Sequence, residues 1–472
     1  MKNILRSLLL FALFMQVRAY AQDNVLFILI DDIGYGDISC YNPESPVKTK
    51  NIDKLAASGV KMTQAYAYHN SGVSVSSFLT GKFAHNIGVY STIDAQNPGM
   101  GVHRPSFVPK MQEAGYATAW IGKWNLGWDI SNLPINSGFD NSFCFLGTTH
   151  SYTDAREGSH RFAGDYSNLG YILDGYTPIT EIKHLTEEFT DRALNFIEEC
   201  ERNKKPFFLT VAYNAPHTPY QAPEELIEKY ISKGITGADA ARYALIEHLD
   251  IHIGRLLECV DESTLVIFAG DNGGPHSKYN GGLRGAKNST WEGGIKIPMI
   301  ASQRDVIAPA SSVNSLCSIV DVSATCLAKA GLSGLDGVDL MPYFMGDKSG
   351  DTHANLLFVN TITAPPYTTP SAEYASDISM RQGKWKIMIE GVTKFATLYN
   401  IEEDPSESTN VADKNPELLI ELTDKMYEML AESKAATAAI VKIDHRKIGD
   451  IFKADSIRRA CLELLKRDRD EK

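Results

Sequence analysis

One apolar segment near the N-terminus constrains the fold more than any other feature of this 472-residue chain. Residues 24–30 (NVLFILI) are almost entirely apolar and rich in β-branched side chains, and two aspartates, Asp31 and Asp32, follow directly. Continuous apolar runs of this length are typical of a parallel strand that is buried on both faces. The segment therefore predicts a buried strand with two carboxylates at its C-terminal end, where open α/β sheets bind ligands.

Two further segments repeat this pattern of an apolar strand followed by polar side chains. They are residues 206–212 (PFFLTVA) and residues 265–268 (LVIF). The polar side chains that follow are Asn214 and His217 in the first case and Asp271 and Asn272 in the second. Because the carboxyl ends of parallel strands meet at the same edge of a sheet, we expect all these groups to share one edge.

Amphipathic helical patterns separate the predicted strands, at residues 50–58, 185–199 and 238–259. Alternating strands and helices are typical of a mostly parallel central sheet that is flanked by helices on both faces. The sequence therefore predicts an α/β fold for a main domain over residues 22–350.

The sequence changes in character from about residue 354. Short strand-like pieces at residues 356–359, 385–388 and 396–399 lead to a helical pattern over residues 416–433. We expect a smaller C-terminal α+β subdomain of antiparallel strands at residues 351–433, followed by a charged, helical tail over residues 434–472.

The first 21 residues have the features of a cleaved signal peptide. Lys2 and Arg6 precede the apolar run at residues 8–14, and Ala19-Tyr20-Ala21 supplies small residues for cleavage before Gln22. The apolar run is too short to span a bilayer, which needs about 20 residues, and no later segment of that length lacks charge. We expect an exported protein, periplasmic or secreted, without membrane insertion.

Charge and cysteine usage limit the classes of partner. The formal charge of −12 becomes −15 when Lys2, Arg6 and Arg18 leave with the signal peptide, so nucleic acid is not an expected partner. The seven cysteines show no metal-binding spacing. We expect them to be small buried apolar residues, although one or two disulfides are compatible with an exported protein.

The adjacent carboxylates of Asp31 and Asp32 point to a metal ion. Two like charges repel strongly in a partly dehydrated site unless a cation neutralises them. Taken alone, the pair favours a solvated turn or a helix cap over a metal site, but Asp271 and Asn272 on a second strand reverse this preference. Oxygen ligands of this kind suit a hard cation, Ca²⁺ or Mg²⁺.

Several segments, in this order along the chain, resemble the signature segments of the sulfatase family. They are residues 25–37 (VLFILIDDIGYGD), 122–127 (GKWNLG), 215–219 (APHTP), 270–273 (GDNG), 283–287 (LRGAK), 290–294 (TWEGG) and 398–405 (LYNIEEDP) with Asn410. The resemblance covers roughly residues 24–430. It implies an alkaline-phosphatase-like α/β core with one Ca²⁺, held by residues that match Asp31, Asp32, Asp271 and Asn272.

The resemblance also implies how a sulfate ester would be held. Lys123, Lys287 and His217 match the family residues that grip the sulfate. Fixed cations stabilise the charge of such an ester, and a proton donor stabilises the departing alkoxide. His276, which lies shortly after Asp271 and Asn272, is a candidate substrate contact, with a surface-loop role as the alternative.

The segment that would carry the nucleophile departs from the family pattern. Sulfatases carry C/S-x-P-S-R, then four residues and T-G, and the first residue is oxidised to formylglycine. The matching segment is residues 71–75 (SGVSV), which lies the same distance before Thr80-Gly81. Ser71 and Ser74 fit, Val73 replaces the proline, and Val75 replaces the arginine.

Two other residues bear on the same pocket. Asn125 stands where the family motif has a histidine, and an amide donates a hydrogen bond without shuttling a proton near neutral pH. Lys82 follows the T-G pair and is a candidate to compensate for the arginine that Val75 replaces.

Three roles for Ser71 stay open. It could be converted to formylglycine by a formylglycine-generating enzyme, or act unmodified as a metal-bound alkoxide, as in phosphatases of the same superfamily. It could also be an inert residue or cap at a helix N-terminus, whose free N–H groups still favour an anion.

These roles lead to different predicted functions. The first is a sulfatase-like hydrolase of sulfate esters, acting on a sulfated carbohydrate by Ca²⁺-assisted nucleophilic substitution at sulfur. The alternatives are a phosphoesterase that uses unmodified Ser71 and a non-catalytic protein that binds sulfated glycans. Substrate specificity is expected in loops such as residues 147–175, where His150, Tyr152, Arg156 and His160 are candidates.

Overall fold

The computed structural model describes residues 23–90, 105–127, 132–156, 172–361, 376–389 and 396–432. The predicted signal peptide at residues 1–21 and the predicted tail at residues 434–472 lie outside these ranges. No helix among the described residues is long and apolar enough to cross a membrane.

The described residues contain the following strands and helices. The strands are β1 Val25–Ile30, β2 Val60–Met62, β3 Ala65–Tyr66, β4 Ala117–Lys123, β5 Asn141–Phe145, β6 Ile172–Asp174, β7 Thr177–Ile179, β8 Phe207–Tyr213, β9 Leu265–Gly270, β10 Met299–Ser302, β11 Ser311–Val313, β12 Cys317–Ser318, β13 Leu356–Thr361, β14 Ser376–Gln382, β15 Trp385–Ile389 and β16 Ala396–Asn400. The α-helices are α1 Lys50–Ala57, α2 Ser71–Thr80, α3 Ala84–Ile87, α4 Val108–Glu113, α5 Leu185–Asn203, α6 Glu224–Ile231, α7 Gly237–Cys259, α8 Glu292–Ile295, α9 Ile319–Lys329, α10 Met341–Phe344 and α11 Pro416–Glu432. Short 3₁₀ helices lie at Ile135–Ser137, Ser277–Tyr279 and Ala412–Lys414.

The central sheet is mostly parallel, as the alternation of strands and helices predicts. Its ten strands follow the order β11-β2-β10-β9-β1-β8-β4-β5-β6-β7. The five strands from β9 to β5 pair in parallel. Antiparallel pairing appears only towards the edges of this sheet, where β10, β6 and β7 join it.

Helices cover both faces of the central sheet, which explains the continuous apolar sequence of its strands. Alternate residues of β1 pack with helices α2 and α9 on one face, and the residues between them pack with α1, α5 and α7 on the other. Every residue of β1 is buried. A strand enclosed on both sides has no face on which polar residues would be favoured.

A four-stranded antiparallel sheet forms the C-terminal part, in the order β13-β14-β15-β16. One of its strands, Ser376–Gln382, was not among the predicted strand-like pieces. Leu357 and Val359 pack with helix α11, whereas Leu356 and Phe358 pack into the main core on the other side. The small sheet therefore has both faces buried along β13.

The six cysteines within the described ranges are free, so no disulfide forms among them. Four are buried, but Cys259 is exposed and Cys40 is partly buried. The prediction that the cysteines are uniformly buried is wrong for Cys259, because it is the last residue of α7 and lies on a surface-facing turn.

Candidate metal and anion site

The register of the central strands brings the predicted polar residues to one edge of the sheet. Ile30 of β1 pairs with Tyr213 of β8 and with Gly270 of β9. The residues that follow continue this pattern, because the Asp31 amide donates to the Tyr213 carbonyl at 3.0 Å and the Asp271 amide donates to the Ile30 carbonyl at 2.9 Å. Asp31 and Asp271 therefore lie side by side.

Asp32 adopts a left-handed backbone conformation, with φ of 63°. This turn directs its backbone amide towards Asp271, whose Oδ1 accepts the hydrogen bond at 3.2 Å. Arg242 of helix α7 stabilises the same turn by donating to the Asp32 carbonyl at 3.0 Å. Its guanidinium also donates to both carboxylate oxygens of Asp37, at 2.8 and 2.7 Å.

Arg242 and Asp37 were not predicted as site residues. Asp37 lies within the matched segment 25–37, which is the one signal that could have singled it out. Arg242 sits in an amphipathic helix, and no local pattern distinguishes it from a surface arginine. The structure nevertheless buries it completely.

Two lysines neutralise part of the negative charge at this edge. Lys123, the last residue of β4, lies with Nζ 2.7 Å from Asp31 Oδ2. Lys287 lies with Nζ 2.6 Å from Asp32 Oδ1 and 3.8 Å from Asp31 Oδ1. Burial opposes the charged form of Lys287, but the three neighbouring aspartates raise its pKa above its ordinary value.

Asn272 and His217 complete the ring of groups around Asp32. The Asn272 amide donates to Asp32 Oδ1 at 2.8 Å. His217 Nε2 lies 3.7 Å from Asp32 Oδ2, and its Nδ1 lies 2.8 Å from the Thr218 carbonyl, which can only accept. Because burial lowers the pKa of His217, the neutral ring carries its proton on Nδ1 and leaves the Nε2 lone pair facing the site.

Ser71 is the first residue of helix α2 and its hydroxyl faces the carboxylates. Its Oγ donates to Asp31 Oδ1 at 3.1 Å, with Asn272 Oδ1 at 3.3 Å and Lys123 Nζ at 3.4 Å. The helix cap is Asn70, whose side chain accepts from the Gly72 amide at 3.0 Å. The interpretation of Ser71 as a simple cap is therefore wrong.

We call this group the rim site: Ser71, Asp31, Asp32, Asp271, Asn272, Lys123, Lys287 and His217. Ligand atoms of Asp31, Asp32 and His217 lie within 4.8 Å of one another, so these residues could hold a metal ion. Three carboxylates face two lysines, which leaves a formal charge of −1. Burial and the neighbouring Asp31 raise the pKa of Asp271 to about 8, as expected where one negative charge lacks a partner.

The donor set fits a hard divalent cation. Carboxylate and amide oxygens are the ligands that Ca²⁺ prefers, and a divalent charge would change the site from −1 to +1. A site with that charge would hold a monoanionic ester. The same geometry without a cation leaves an unbalanced buried carboxylate, which is unfavourable.

Four other predicted residues lie in different surroundings. Asn125 is buried, with φ of 54°, and its Oδ1 has no hydrogen-bond partner among the described residues. His276 is exposed and its ring lies 6.0 Å from that of Tyr279. Val73 and Val75 pack into the main core.

Lys82 does not compensate for the arginine that Val75 replaces. Its side chain is 54% exposed and its Nζ lies 3.9 Å from Asp336 at the surface. Residue 82 follows the left-handed Gly81 that ends helix α2, at the end opposite to Ser71. The length of the helix therefore separates the two residues.

The candidate specificity residues divide into buried and exposed groups. His150 and Tyr152 are buried, and the Tyr152 hydroxyl donates to the backbone carbonyls of Asn214 and His217, both at 2.9 Å. Tyr152 therefore supports the loop that carries His217. Arg156 is exposed, and His160 lies outside the described residues.

Comparisons with known proteins agree on one family. The family model described as Sulfatase matches residues 23–332. The chain is 25% identical to the uncharacterized sulfatase YdeN of Escherichia coli K12 over 508 residues, which covers 91% of this chain and 89% of that protein. It is 28% identical to human arylsulfatase A over 480 residues, which covers 88% of this chain and 89% of that protein. The crystal structure of Ps i-CgsB in complex with k-i-k-neocarrahexaose is similar, with a TM-score of 0.78 and 27% identity over 88% of this chain and 94% of that chain.

Proposed function

Since the chain belongs to the sulfatase family, we propose that it is an exported, Ca²⁺-dependent hydrolase of sulfate esters on a carbohydrate. The observation that carries this proposal is the position of the Ser71 hydroxyl, 3.1 Å from Asp31 and 3.3 Å from Asn272. This position presents an oxygen of residue 71 to the proposed metal ligands. A group that attacks a bound ester must lie there.

Asp31, Asp32, Asp271 and Asn272 would hold the Ca²⁺. The cation would neutralise the excess carboxylate charge, polarise a sulfate oxygen and favour an anionic oxygen at residue 71. His217 Nε2 also faces Asp32, so it is available either to the metal or to the substrate.

The two lysines bind the sulfate through its non-bridging oxygens. Lys123 lies on the Ser71 side of Asp31 and Lys287 on the Asp32 side, so their ammonium groups approach the ester from two directions. Both charges are fixed before the substrate arrives, because each lysine is anchored by a carboxylate. Such fixed charges stabilise the transition state without reorganisation during the reaction.

His217 is the candidate for proton transfer. In substitution at sulfur, the oxygen on residue 71 bonds to sulfur, the ester S–O bond breaks, and the departing alkoxide needs a proton. Because burial lowers the pKa of His217, its Nε2 is unprotonated near pH 7 and must gain a proton before it donates one. The attacking hydroxyl is the natural source of that proton.

The carbohydrate part of the proposal rests on the comparison with Ps i-CgsB, whose structure contains a neocarrahexaose. The exported location rests on the signal peptide predicted at residues 1–21. Both are parts of the proposal that a substrate screen and a cell fractionation would test.

The first experiment measures sulfate release from carrageenan oligosaccharides and from 4-nitrophenyl sulfate, with protein from its native host. We expect Ser71→Ala to lower the rate at least about 100-fold. Ser76→Ala is the matched control, since Ser76 lies on the same helix, is equally buried and donates only to the Gly72 carbonyl. Equal activity of wild type and Ser71→Ala would refute the proposal.

The second experiment identifies the chemical form of residue 71 by peptide mass. Formylglycine lacks two hydrogens relative to serine, so the tryptic peptide from the native host distinguishes the two forms. Sulfate release together with the lighter peptide supports the sulfatase mechanism. Hydrolysis of a phosphate ester without a mass change favours the phosphoesterase, and tight binding of sulfated glycan without turnover favours the binding protein.

A further inference from the structure

We propose that Asn214 is a substrate contact of the rim site, where its carboxamide hydrogen-bonds the bound sulfate group. This inference rests on the proposed function, because it assigns one more ligand to the same anion. Asn214 lies between strand β8 and the matched segment 215–219, so none of the matched segments includes it.

The strand register places Asn214 in line with two rim-site carboxylates. Asp271, Asp31 and Asn214 each follow directly after residues that pair across β9, β1 and β8, namely Gly270, Ile30 and Tyr213. Neighbouring strands lie about 4.8 Å apart, so the three side chains form a row at the sheet edge. Asn214 occupies the position next to Asp31 on the side away from Asp271.

The position of Asn214 in the strand also determines the face of the sheet to which its side chain points. Alternate residues of a strand point to the same face, and Phe208 and Ala212 of β8 pack in the core that contains helix α2. Tyr213 packs on the opposite face. Alternation therefore directs Asn214 to the face of Ser71.

The carboxamide of Asn214 has no hydrogen-bond partner among the residues that the structure describes. The residue is 2% exposed, and neither its Oδ1 nor its Nδ2 makes a hydrogen bond within the described part of the chain. Its backbone carbonyl is occupied, since it accepts from the Tyr152 hydroxyl at 2.9 Å and from the His217 amide at 2.7 Å. A buried amide with neither group hydrogen-bonded is unfavourable unless a ligand supplies the missing partners.

The surroundings indicate the sulfate rather than the metal as that ligand. The other proposed metal ligands, Asp271 and Asn272, lie on the β9 side of Asp31. Lys123 reaches Asp31 from β4, on the other side, and β8 lies between β4 and β1 in the sheet. Asn214 therefore lies beneath the sulfate-binding lysine, where its Nδ2 donates to a sulfate oxygen.

The test replaces the amide by an isosteric apolar side chain, in Asn214→Leu. Thr210→Val is the matched control, since Thr210 lies on the same strand and face and its buried Oγ1 also has no partner. The readout is the Kd of inorganic sulfate, measured by calorimetry with saturating Ca²⁺. We expect Asn214→Leu to weaken sulfate binding about tenfold or more, because a hydrogen bond to a charged group is lost.

Three further results bear on the assignment. Ca²⁺ affinity within about twofold of wild type supports a sulfate contact, whereas loss of Ca²⁺ binding overturns it in favour of a metal ligand. A thermal midpoint without sulfate that equals or exceeds that of wild type supports it too, because the substitution removes a buried amide whose lack of partners is unfavourable. If Asn214→Leu does not fold, Asn214→Ala, which only removes atoms, is expected to weaken sulfate binding equally.

The outcome separates this inference from the proposed function. Sulfate binding that depends on Asn214 in a protein without turnover supports the contact and refutes the hydrolase. Turnover by wild type together with an unchanged sulfate Kd in Asn214→Leu supports the hydrolase and overturns the contact.

Discussion

Two buried charge clusters within the described ranges differ in how completely their charges are paired. The rim site has three carboxylates and two lysines. The second, which we call the junction cluster, lies between the C-terminal sheet and the TWEGG segment and contains Glu292, Glu407, Lys386 and Arg381. Lys386 lies 3.1 Å from Glu292 and 2.8 Å from Glu407, and Arg381 lies 3.4 Å from Glu292.

Each charged side chain of the junction cluster lies next to one of opposite charge. Tyr66 donates to Glu292 at 2.7 Å, and Glu407 accepts from the Glu292 backbone amide at 2.8 Å. Within ion-pair distance two acids face two bases, so neither buried carboxylate lacks a cation. The rim site lacks one positive charge and contains nearby amides without partners. A buried cluster whose charges are balanced thus indicates a structural role. A buried cluster with an excess of one charge indicates a ligand site.

The largest expected difference concerns removal of one lysine from each cluster. Lys386→Met leaves two buried carboxylates short of a partner and should lower the free energy of unfolding by about 3–5 kcal/mol, with or without Ca²⁺. Lys287→Met should also destabilise the protein without Ca²⁺, but saturating Ca²⁺ should restore most of the loss. Urea denaturation at both Ca²⁺ concentrations measures this.

Lys414→Met is the control for that comparison, since Lys414 is exposed, and its effect should be within about 0.5 kcal/mol. Rescue of Lys386→Met by Ca²⁺ would contradict the division into a structural and a ligand-binding cluster.

The next largest effect is the loss of stability that acidification should cause at the junction cluster. Burial alone would raise the pKa of Glu292, but Lys386 and Arg381 outweigh burial and lower it to about 2, from an ordinary value of 4.5. A lowered pKa means that the stabilisation is complete above pH 4.5 and is lost as the pH falls towards 2. The loss should be on the order of 3 kcal/mol.

Glu292→Gln isolates this contribution, because glutamine cannot titrate. The variant should be less stable than wild type at pH 7, and the difference should shrink as the pH falls from 4.5 to 2. Glu407, whose pKa is raised by burial and by the charge of Glu292, acts in the opposite sense, and its contribution should be smaller in the variant because the Glu292 charge is gone. A difference independent of pH would show that Glu292 carries no charge in the native state.

A somewhat smaller effect is expected from Ca²⁺ on the rim site. At about 100 times its Kd, Ca²⁺ should stabilise wild type by about 2.7 kcal/mol, which a chelator should remove. Asp271→Asn should abolish this gain. Because the pKa of Asp271 is raised to about 8, its side chain is largely protonated at pH 7 without metal, and asparagine should leave the metal-free stability nearly unchanged. Thermal unfolding with Ca²⁺ and with chelator measures both quantities, and an undiminished Ca²⁺ effect in the variant would exclude Asp271 as a ligand.

The same comparison explains what the sequence could predict. The rim site was predictable because each strand delivers its polar residues within a few positions of its end, as Asp31 and Asp271 do. Local apolar runs also identified the parallel core. The alternation of predicted strands and helices did not indicate the antiparallel strands at the edges, which are only three or four residues long.

The junction cluster was not predictable from local pattern. Lys386 looks like an ordinary polar residue of a strand, and its burial depends on Glu292, which lies 94 residues away in the chain. The same limit applied to Arg242, whose partners lie more than 200 residues away. The same limit applies to Ser71, which lies within a matched motif. Only the structure shows that Asn70 caps helix α2 and that the Ser71 hydroxyl faces carboxylates.

The smallest expected effect concerns Lys82, which the sequence alone placed as a substitute for a missing arginine. The ion pair with Asp336 is exposed and has Nζ 3.9 Å from its partner, and exposed pairs of this kind contribute about 0–1 kcal/mol. Lys82→Met should therefore change the free energy of unfolding by less than about 0.5 kcal/mol and leave the Kd of inorganic sulfate within about twofold. Lys123→Met, measured in the same calorimetric assay, should weaken sulfate binding by at least about tenfold, because its buried ammonium faces the anion. Equal losses in the two variants would mean that Lys82 reaches the rim site after all and that the separation by helix α2 does not hold in solution.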